Sequence, residues 1–304
     1  MKRLTVALAL VLTLQATALP AAGPKGFASL DEAVSALVGA IRSADRRALV
    51  EILGPKSNPL VWSGDAVADR AAFQRFIAAY DRAHRLEGGS GKVILYVGDD
   101  DFPFPIPLVP GGPRWFWDTE AGDDELLSRR IGENELAVIQ VCQAYVDAQR
   151  EYYARGTGLL EYAQRLDSTK GKHDGLFWET RPGEPQSPLG PLVARARAAG
   201  YPLPPRGGPV PYHGYFYRIL FAQGADAPGG AYDFVARGHM IGGFALVAYP
   251  ATYGVSGIMT FIVNQDGIVY QKDLGPKTTQ LANAMKIYNP DQTWARAEAV
   301  SSKR

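Results

Sequence analysis

The stretch GGFALVAYPATYGVSGIMTFIVNQDGIVYQKDLG, residues 242–275, decides the fold. Its β-branched and aromatic residues form short runs separated by Gly, Pro, Asn and Asp, a pattern typical of antiparallel strands joined by turns. The segment Asn264–Gly267 predicts a tight hairpin turn, because Gly267 can adopt a positive φ. Together with the preceding sequence, the stretch predicts strands at residues 214–222, 240–250, 259–264 and 268–273. It contains no recognisable catalytic motif.

A long helical region precedes these strands. Glu125–Arg130 and Asn134–Arg155 both show helical patterns, and Gly132 is the predicted break between them. Cys142, the only cysteine, lies among apolar neighbours in the second helix. We interpret it as a small buried hydrophobic residue, because no adjacent His or basic residue would activate its thiol.

The sequence pattern of the N-terminal half predicts helices followed by strands. Phe27–Ser43 is an amphipathic helix with Ser29 as its N-cap. Further helices are predicted at residues 45–53 and 69–83, and strands at residues 92–97, 106–109 and 114–118. Pro110–Pro113 predicts the turn of a hairpin between the last two strands. The whole chain is therefore predicted to have an α+β fold.

The first residues, MKRLTVALALVLTLQATALPAAG, predict a cleaved secretory signal peptide. Lys2 and Arg3 supply its positive charge. Leu4–Leu14 is an apolar core of about eleven residues, shorter than the roughly 20 needed to span a bilayer. Cleavage is predicted near Ala22–Gly23, with an uncleaved anchor as the alternative. We therefore predict a periplasmic or secreted protein whose mature chain has no transmembrane segment.

Net charge argues against a nucleic-acid partner. The formal charge is +1, and removal of Lys2 and Arg3 changes it to −1. A chain this close to neutrality provides no basic surface for a phosphate backbone. The expected partner is instead an envelope protein or a small ligand.

Two structural resemblances follow from the order of elements. The opening DEAVSALVGAIRSADRRALVEIL and the meander after it resemble nuclear-transport-factor-2-like domains, which implies a curved sheet around helices with an apolar pocket. The motifs at Gly214–Arg218, Gly243–Ala248 and Gly257–Gly267 resemble the head domains of type IV pilins and pseudopilins, although a prepilin cleavage motif and an apolar stalk helix are missing. The predicted divisions are a signal peptide at 1–22, the first domain at 27–131, the second at 132–288 and a polar tail at 289–304.

Two longer motifs indicate a single family. DFPFPIPLV at residues 101–109 and MTFIVNQDGIVYQKDLGP at residues 259–276 resemble the bacterial exported family known as domain of unknown function 2950. The resemblance extends over nearly the whole mature chain. It implies export and a two-part α+β body, and it supplies no substrate, cofactor or catalytic residue.

Asp99, Asp100 and Asp101 form the densest cluster of charge. Three adjacent carboxylates repel one another unless a cation compensates them, so a ligand or calcium site is one interpretation. Phe and Pro occupy the positions where a calcium loop needs further carboxylates. A solvated turn is therefore the favoured alternative.

Trp115, Trp117 and Asp118 are candidate ligand-binding residues. The two Trp side chains share one face of a predicted strand, whereas Phe116 points to the other. One face is expected to line a pocket and the other to pack on a helix. Asp118 would then lie at the mouth of the pocket, where it could act as an acid or a base.

His213 and Tyr215 are further candidates at the start of a predicted strand. His213 could act as an acid or base, or it could fix a loop through a backbone hydrogen bond. The four histidines lack the spacing of a zinc site. The sequence predicts no metal, no cofactor and no catalytic residue.

Three hypotheses for function remain. The favoured one is a non-enzymatic exported protein that binds a ligand or partner in the bacterial envelope. The second is a hydrolase or isomerase that uses Asp118 or His213 in an aromatic pocket. The third is a structural component of the envelope that assembles with pilin-like machinery.

Overall fold

The structure is a computed structural model that describes residues 23–89, 91–156, 158–202 and 209–297. The predicted signal peptide and the last residues of the predicted polar tail lie outside this range. Helices precede an antiparallel sheet in the N-terminal half, and a long helix packs on a second antiparallel sheet in the C-terminal half. The predicted α+β class is confirmed.

The helices begin and end close to the predicted positions in the N-terminal half. The Ser29 side chain accepts a hydrogen bond from the Glu32 backbone N–H, so it is the predicted N-cap of the first helix. The helices are α1 (Leu30–Arg42), α2 (Arg46–Leu53), α3 (Asn58–Val61), α4 (Ala66–Arg82), α5 (Asp123–Ala154), α6 (Gly190–Ala198) and α7 (Thr278–Ala284). Short 3-10 turns occupy Pro55–Ser57, Thr119–Ala121 and Gly275–Lys277.

The N-terminal sheet is antiparallel, with the strand order β1-β2-β4-β5 and β3 paired to β2. Its strands are β1 (His84–Gly89), β2 (Lys92–Val97), β3 (Phe102–Pro103), β4 (Leu108–Gly111) and β5 (Arg114–Trp117). Helices α1 and α2 contact β5, and α4 contacts β1 and β2. The predicted hairpin joins β4 to β5, with Gly112 at φ +65° in its turn.

The C-terminal sheet is antiparallel and has the order β14-β13-β12-β11-β6. Its strands are β6 (Tyr215–Leu220), β11 (Ala245–Pro250), β12 (Met259–Asn264), β13 (Tyr270–Asp273) and β14 (Ala295–Arg296). Two small ribbons pair β7 (Ala222–Gln223) with β8 (Tyr232–Asp233), and β9 (Val235–Ala236) with β10 (His239–Met240). The strand predicted at residues 240–250 is thus wrong at its start, because Gly242 and Gly243 separate β10 from β11.

Helix α5 is continuous through Gly132, so the predicted break there is wrong. A glycine costs a helix only about 1 kcal/mol relative to alanine. Contacts on both sides of it hold the helix in place. Arg130 donates to the carbonyl oxygens of Pro59 and Leu60, and Asn134 Nδ2 donates to the Ser256 carbonyl oxygen at 2.8 Å.

We expect Gly132→Ala to raise the free energy of unfolding by about 0.5–1 kcal/mol, the difference in helix propensity between the two residues. A Cβ at position 132 would meet no atom within 4 Å, so no clash offsets the gain. Urea unfolding of the variant checks this. A loss of stability would contradict a continuous, uncrowded helix at this position.

Two hydrophobic cores occupy the two halves of the molecule. The first is built around residues such as Leu37, Leu95 and Trp117, and the second extends from Val138 to Tyr288 along α5 and the C-terminal sheet. Cys142 is completely buried in the second core, and burial raises its thiol pKa to about 12. Of the helices that the structure describes, none combines the length and apolarity needed to cross a bilayer.

Candidate functional site

Two cavities with mainly apolar walls have volumes of about 440 Å³ and about 380 Å³, and the smaller one is lined by the predicted site residues Trp117 and Asp118. The smaller one lies in the N-terminal half, between the β4–β5 hairpin, the end of α2 and the segment that follows the predicted signal peptide. We call it the hairpin cavity. Its lining residues are Gly23, Pro24, Leu53, Gly54, Pro55, Lys56, Val109, Phe116, Trp117, Asp118, Thr119 and Glu120.

Phe116 provides the aromatic wall of the hairpin cavity. Its ring is held between two glycines that come close to it from either side. A Cβ built on Gly26 would lie 2.7 Å from the ring, and one built on Gly111 would lie 2.5 Å from it. Real Cβ atoms do not approach carbon that closely, so both positions require glycine for Phe116 to keep its place.

Trp117 belongs to the core behind the cavity. Its side chain is fully buried, its Nε1–H donates to the Ala33 carbonyl oxygen at 3.3 Å, and its ring meets Phe104 edge-to-face. Trp115 is half-buried against the same core and does not line the cavity. The aromatic strand therefore has one core face and one cavity face, and Phe116 dominates the cavity face.

Asp118 lies half-buried at the mouth of the hairpin cavity. Its backbone N–H donates to the Pro107 carbonyl oxygen at 2.9 Å. Among the residues that the structure describes, no side chain or backbone group donates a hydrogen bond to its carboxylate. Beside it, Lys56 and Glu120 form an exposed ion pair, which lowers the pKa of Glu120. The mouth thus carries one compensated carboxylate and one without a partner.

The acidic triplet lies elsewhere, in the exposed turn after β2. Asp99 pairs with Arg82 at 3.3 Å, and Asp101 pairs with Arg85 at 2.9 Å. Asp101 has a φ of +50°, which fits a tight turn. Over the described ranges of the chain, no group of three His, Cys, Asp or Glu residues is arranged to hold a metal ion. Arginines compensate two of these carboxylates.

Tyr215 and His213 lie in the C-terminal half, away from the hairpin cavity. Tyr215 is fully buried, and its hydroxyl donates to the Met259 carbonyl oxygen at 3.0 Å. His213 has a φ of +50° and packs its ring on Tyr212. Burial lowers the pKa of His213, and the nearby Asp65 carboxylate opposes this effect. Neither residue lines a cavity described here.

The larger apolar cavity lies next to these residues, between α6 and β6. We call it the α6 cavity. Its walls include Leu192, Val193, Val210, Tyr212, Phe216 and Tyr217. Most of the hydroxyl groups nearby already have partners within the protein; for example, Tyr217 donates to the Tyr212 carbonyl oxygen at 3.1 Å.

Asp65 is a buried residue whose side chain accepts four hydrogen bonds and links the two halves, and it was not among the predicted site residues. Its side chain caps α4 by accepting hydrogen bonds from Val67 N–H at 3.2 Å and Ala68 N–H at 3.0 Å. It also accepts hydrogen bonds from Tyr201 Oη–H at 2.8 Å and Gly214 N–H at 2.9 Å. An Asp just before a helical pattern is an N-cap signal. Because the predicted helix began at Asp69, Asp65 was not recognised as the N-cap of α4.

The comparisons with known proteins give one match. The family model described as a protein of unknown function (DUF2950) matches residues 24–297. The chain belongs to this family. No curated protein and no solved structure matches it. The hairpin cavity of this DUF2950 chain lies within the matched residues except for Gly23. The resemblances to nuclear-transport-factor-2-like domains and to pilin heads stay predictions.

Proposed function

We propose that this protein is exported to the bacterial envelope, where it binds a small apolar ligand in the hairpin cavity without catalysing a reaction. The observation that carries the proposal is an apolar cavity whose charged lining residues are exposed or half-buried. Its one buried polar lining residue, Thr119, already donates its hydroxyl to the Leu53 carbonyl oxygen at 2.7 Å. Phe116, Val109, Leu53 and the two prolines supply the walls, and the charges of Asp118, Lys56 and Glu120 lie at the opening.

The dimensions and chemistry of the cavity suggest the kind of ligand. Small-molecule sites are usually concave and mostly apolar, with a few polar groups that fix orientation. A volume of about 380 Å³ suits a small molecule and not a folded partner. The apolar body of the ligand would pack on Phe116, and its polar end would face the charged mouth.

Catalysis has less support. The enzyme hypothesis needs Asp118 or His213 to face a second polar group across an aromatic pocket. Asp118 shares its cavity with Lys56 and Glu120, which pair with each other, and His213 lines neither the hairpin cavity nor the α6 cavity. Assembly with pilin-like machinery calls for a long free edge strand. Of the two edges of the C-terminal sheet, β14 has only two residues, and every residue of the six-residue β6 is buried or half-buried.

Two features support the proposed export and domain division. The apolar leader at residues 1–22 has the three parts of a cleaved signal peptide, and the described chain after it is bound to the N-terminal core. The proposed domains, 27–131 and 132–288, each contain one of the two hydrophobic cores. Helix α5 begins beside the first core and continues as the spine of the second.

A cavity-filling pair of variants tests the ligand site. Val109→Trp should fill the hairpin cavity, and Val210→Trp should fill the α6 cavity as a matched control. Small apolar compounds are screened by thermal shift, because a ligand that binds the native state raises its melting temperature. We expect compounds that stabilise the wild type to lose their effect on Val109→Trp and to keep it on Val210→Trp. The opposite pattern would move the site to the α6 cavity.

A further inference from the structure

The chain directly after the predicted signal peptide is fixed onto the N-terminal core. Lys25 N–H donates to the Glu51 carbonyl oxygen at 3.1 Å, and Phe27 exchanges two backbone hydrogen bonds of 2.9 Å with Trp115. Pro24 packs against Gly54, where a Cβ would lie 3.3 Å from the proline ring. Gly23 itself is exposed, and it lines the hairpin cavity directly before this fixed segment.

The two lysines near Gly23 already have carboxylate partners. Lys56 pairs with Glu120, and Lys25 lies 3.9 Å from Glu51. Asp118 lines the same cavity as Gly23 and receives no hydrogen bond on its carboxylate from the described residues. A cation beside this carboxylate would attract it electrostatically. Gly23 is where processing would create such a cation.

We propose that cleavage of the signal peptide completes the hairpin cavity, because the new α-ammonium group of Gly23 pairs with the Asp118 carboxylate. The inference rests on the proposed export and on cleavage after Ala22. A leader peptidase hydrolyses the Ala22–Gly23 bond with one water molecule. The leader leaves with a terminal carboxylate on Ala22, and the amino group on Gly23 takes up a proton near neutral pH.

The uncleaved chain has a different charge at this position. There the Gly23 nitrogen is a neutral amide, which cannot form an ion pair. The mouth of the cavity then has a net negative charge from Asp118. After cleavage the mouth is neutral, and the apolar ligand meets two fixed ion pairs instead of an uncompensated carboxylate. Ligand binding is thereby linked to processing.

Titration of the α-amine tests the ion pair directly. A chain that begins at Gly23 is reductively methylated with ¹³C-formaldehyde, and the pKa of its terminal amine is followed by NMR in the folded and urea-unfolded states. An α-amine normally titrates near 8. We expect the folded-state pKa to lie about 0.5 above the unfolded one, as for a partly exposed ion pair. Asp118→Asn should remove the difference, whereas the control Glu51→Gln should preserve most of it.

Thermal unfolding against pH gives a second measurement. Because the folded-state pKa is raised, the stabilisation is complete below the unfolded pKa and is lost as the pH rises through the folded one. The chain beginning at Gly23 should therefore melt at a higher temperature than a chain retaining residues 15–22 at pH 6.5. The difference should shrink above about pH 9.

Three outcomes would overturn the inference. Equal amine pKa values in the folded and unfolded states would exclude the ion pair, and so would a pKa shift that survives Asp118→Asn. Mass spectrometry of exported protein with a first residue other than Gly23 would exclude the maturation step. Ligand binding in the hairpin cavity is tested separately by the Val109→Trp variant. The ion pair and the ligand site can therefore be rejected independently of each other.

Discussion

Asp65→Ala is expected to lower the free energy of unfolding by about 3 kcal/mol or more. The substitution removes the N-cap of α4, which is worth about 0.5–2 kcal/mol. It also leaves the buried Gly214 N–H and the Tyr201 hydroxyl without the acceptor that they share. Each buried donor that loses its partner costs about 1–3 kcal/mol. The side chain is only 1% exposed, so solvent can replace the lost acceptor only after the structure opens.

Asp45→Ala is the matched control for this substitution. Asp45 also caps a helix, since its side chain accepts a hydrogen bond from the Ala48 backbone N–H at 3.0 Å. It is exposed, and it bonds to none of the described residues of the C-terminal half. Its loss should cost about 1 kcal/mol. Both variants are measured by urea unfolding. Equal losses would mean that the hydrogen bonds of Asp65 to Tyr201 and Gly214 contribute nothing measurable.

Gly257→Ala is expected to destabilise the protein by about 2–3 kcal/mol through overpacking. A Cβ at position 257 would overlap the Tyr215 hydroxyl and lie 2.5 Å from Tyr215 Cε2. Tyr215 cannot easily move away, because it is fully buried and its ring packs near Phe261. Gly132→Ala, the same change at an uncrowded glycine, is the control and should have the opposite sign.

A double variant tests whether the overlap is the cause. Tyr215→Phe alone should be destabilising, because it removes the hydrogen bond to the Met259 carbonyl oxygen. In the Gly257→Ala background the same change also removes the overlapping oxygen. The decreases in the free energy of unfolding of the two single variants should therefore sum to about 1 kcal/mol more than the decrease of the double variant. Strict additivity would show that Gly257→Ala does not act through the Tyr215 hydroxyl.

The sequence predicted those elements whose residues carry a strong local pattern. Ser29 caps α1 where the pattern placed it, and β12 covers residues 259–264 as predicted. Strand β1 was missed, because its sequence HRLEGG is almost entirely exposed and lacks alternating apolar residues. Gly132 was read as a break, because a local pattern does not reveal the tertiary contacts that keep α5 intact.

The candidate site was predictable only in part, for a related reason. Trp117 and Asp118 were singled out by their chemistry, and both line the hairpin cavity. Phe116 was placed on the opposite face from the tryptophans, but no local sequence pattern shows that this face borders a cavity. That depends on Pro24 and Leu53, which the fold brings from distant parts of the chain. Asp65 was missed as a cap because the predicted helix began at Asp69, and its bonds to Tyr201 and Gly214, 136 and 149 residues away, leave no local pattern.

Because α5 is continuous, it fixes the rotation of the two halves relative to each other about the helix axis. Arg130 contacts the end of α3, whereas Asn134 and Glu135 bond to the backbone at Ser256, Ile258 and Met259. Each helical residue turns the direction of its side chain by about 100°. One residue inserted between Arg130 and Asn134 would thus rotate the two halves against each other by more than a quarter turn. Substitutions at positions 131–133 can be absorbed there, but changes in length cannot.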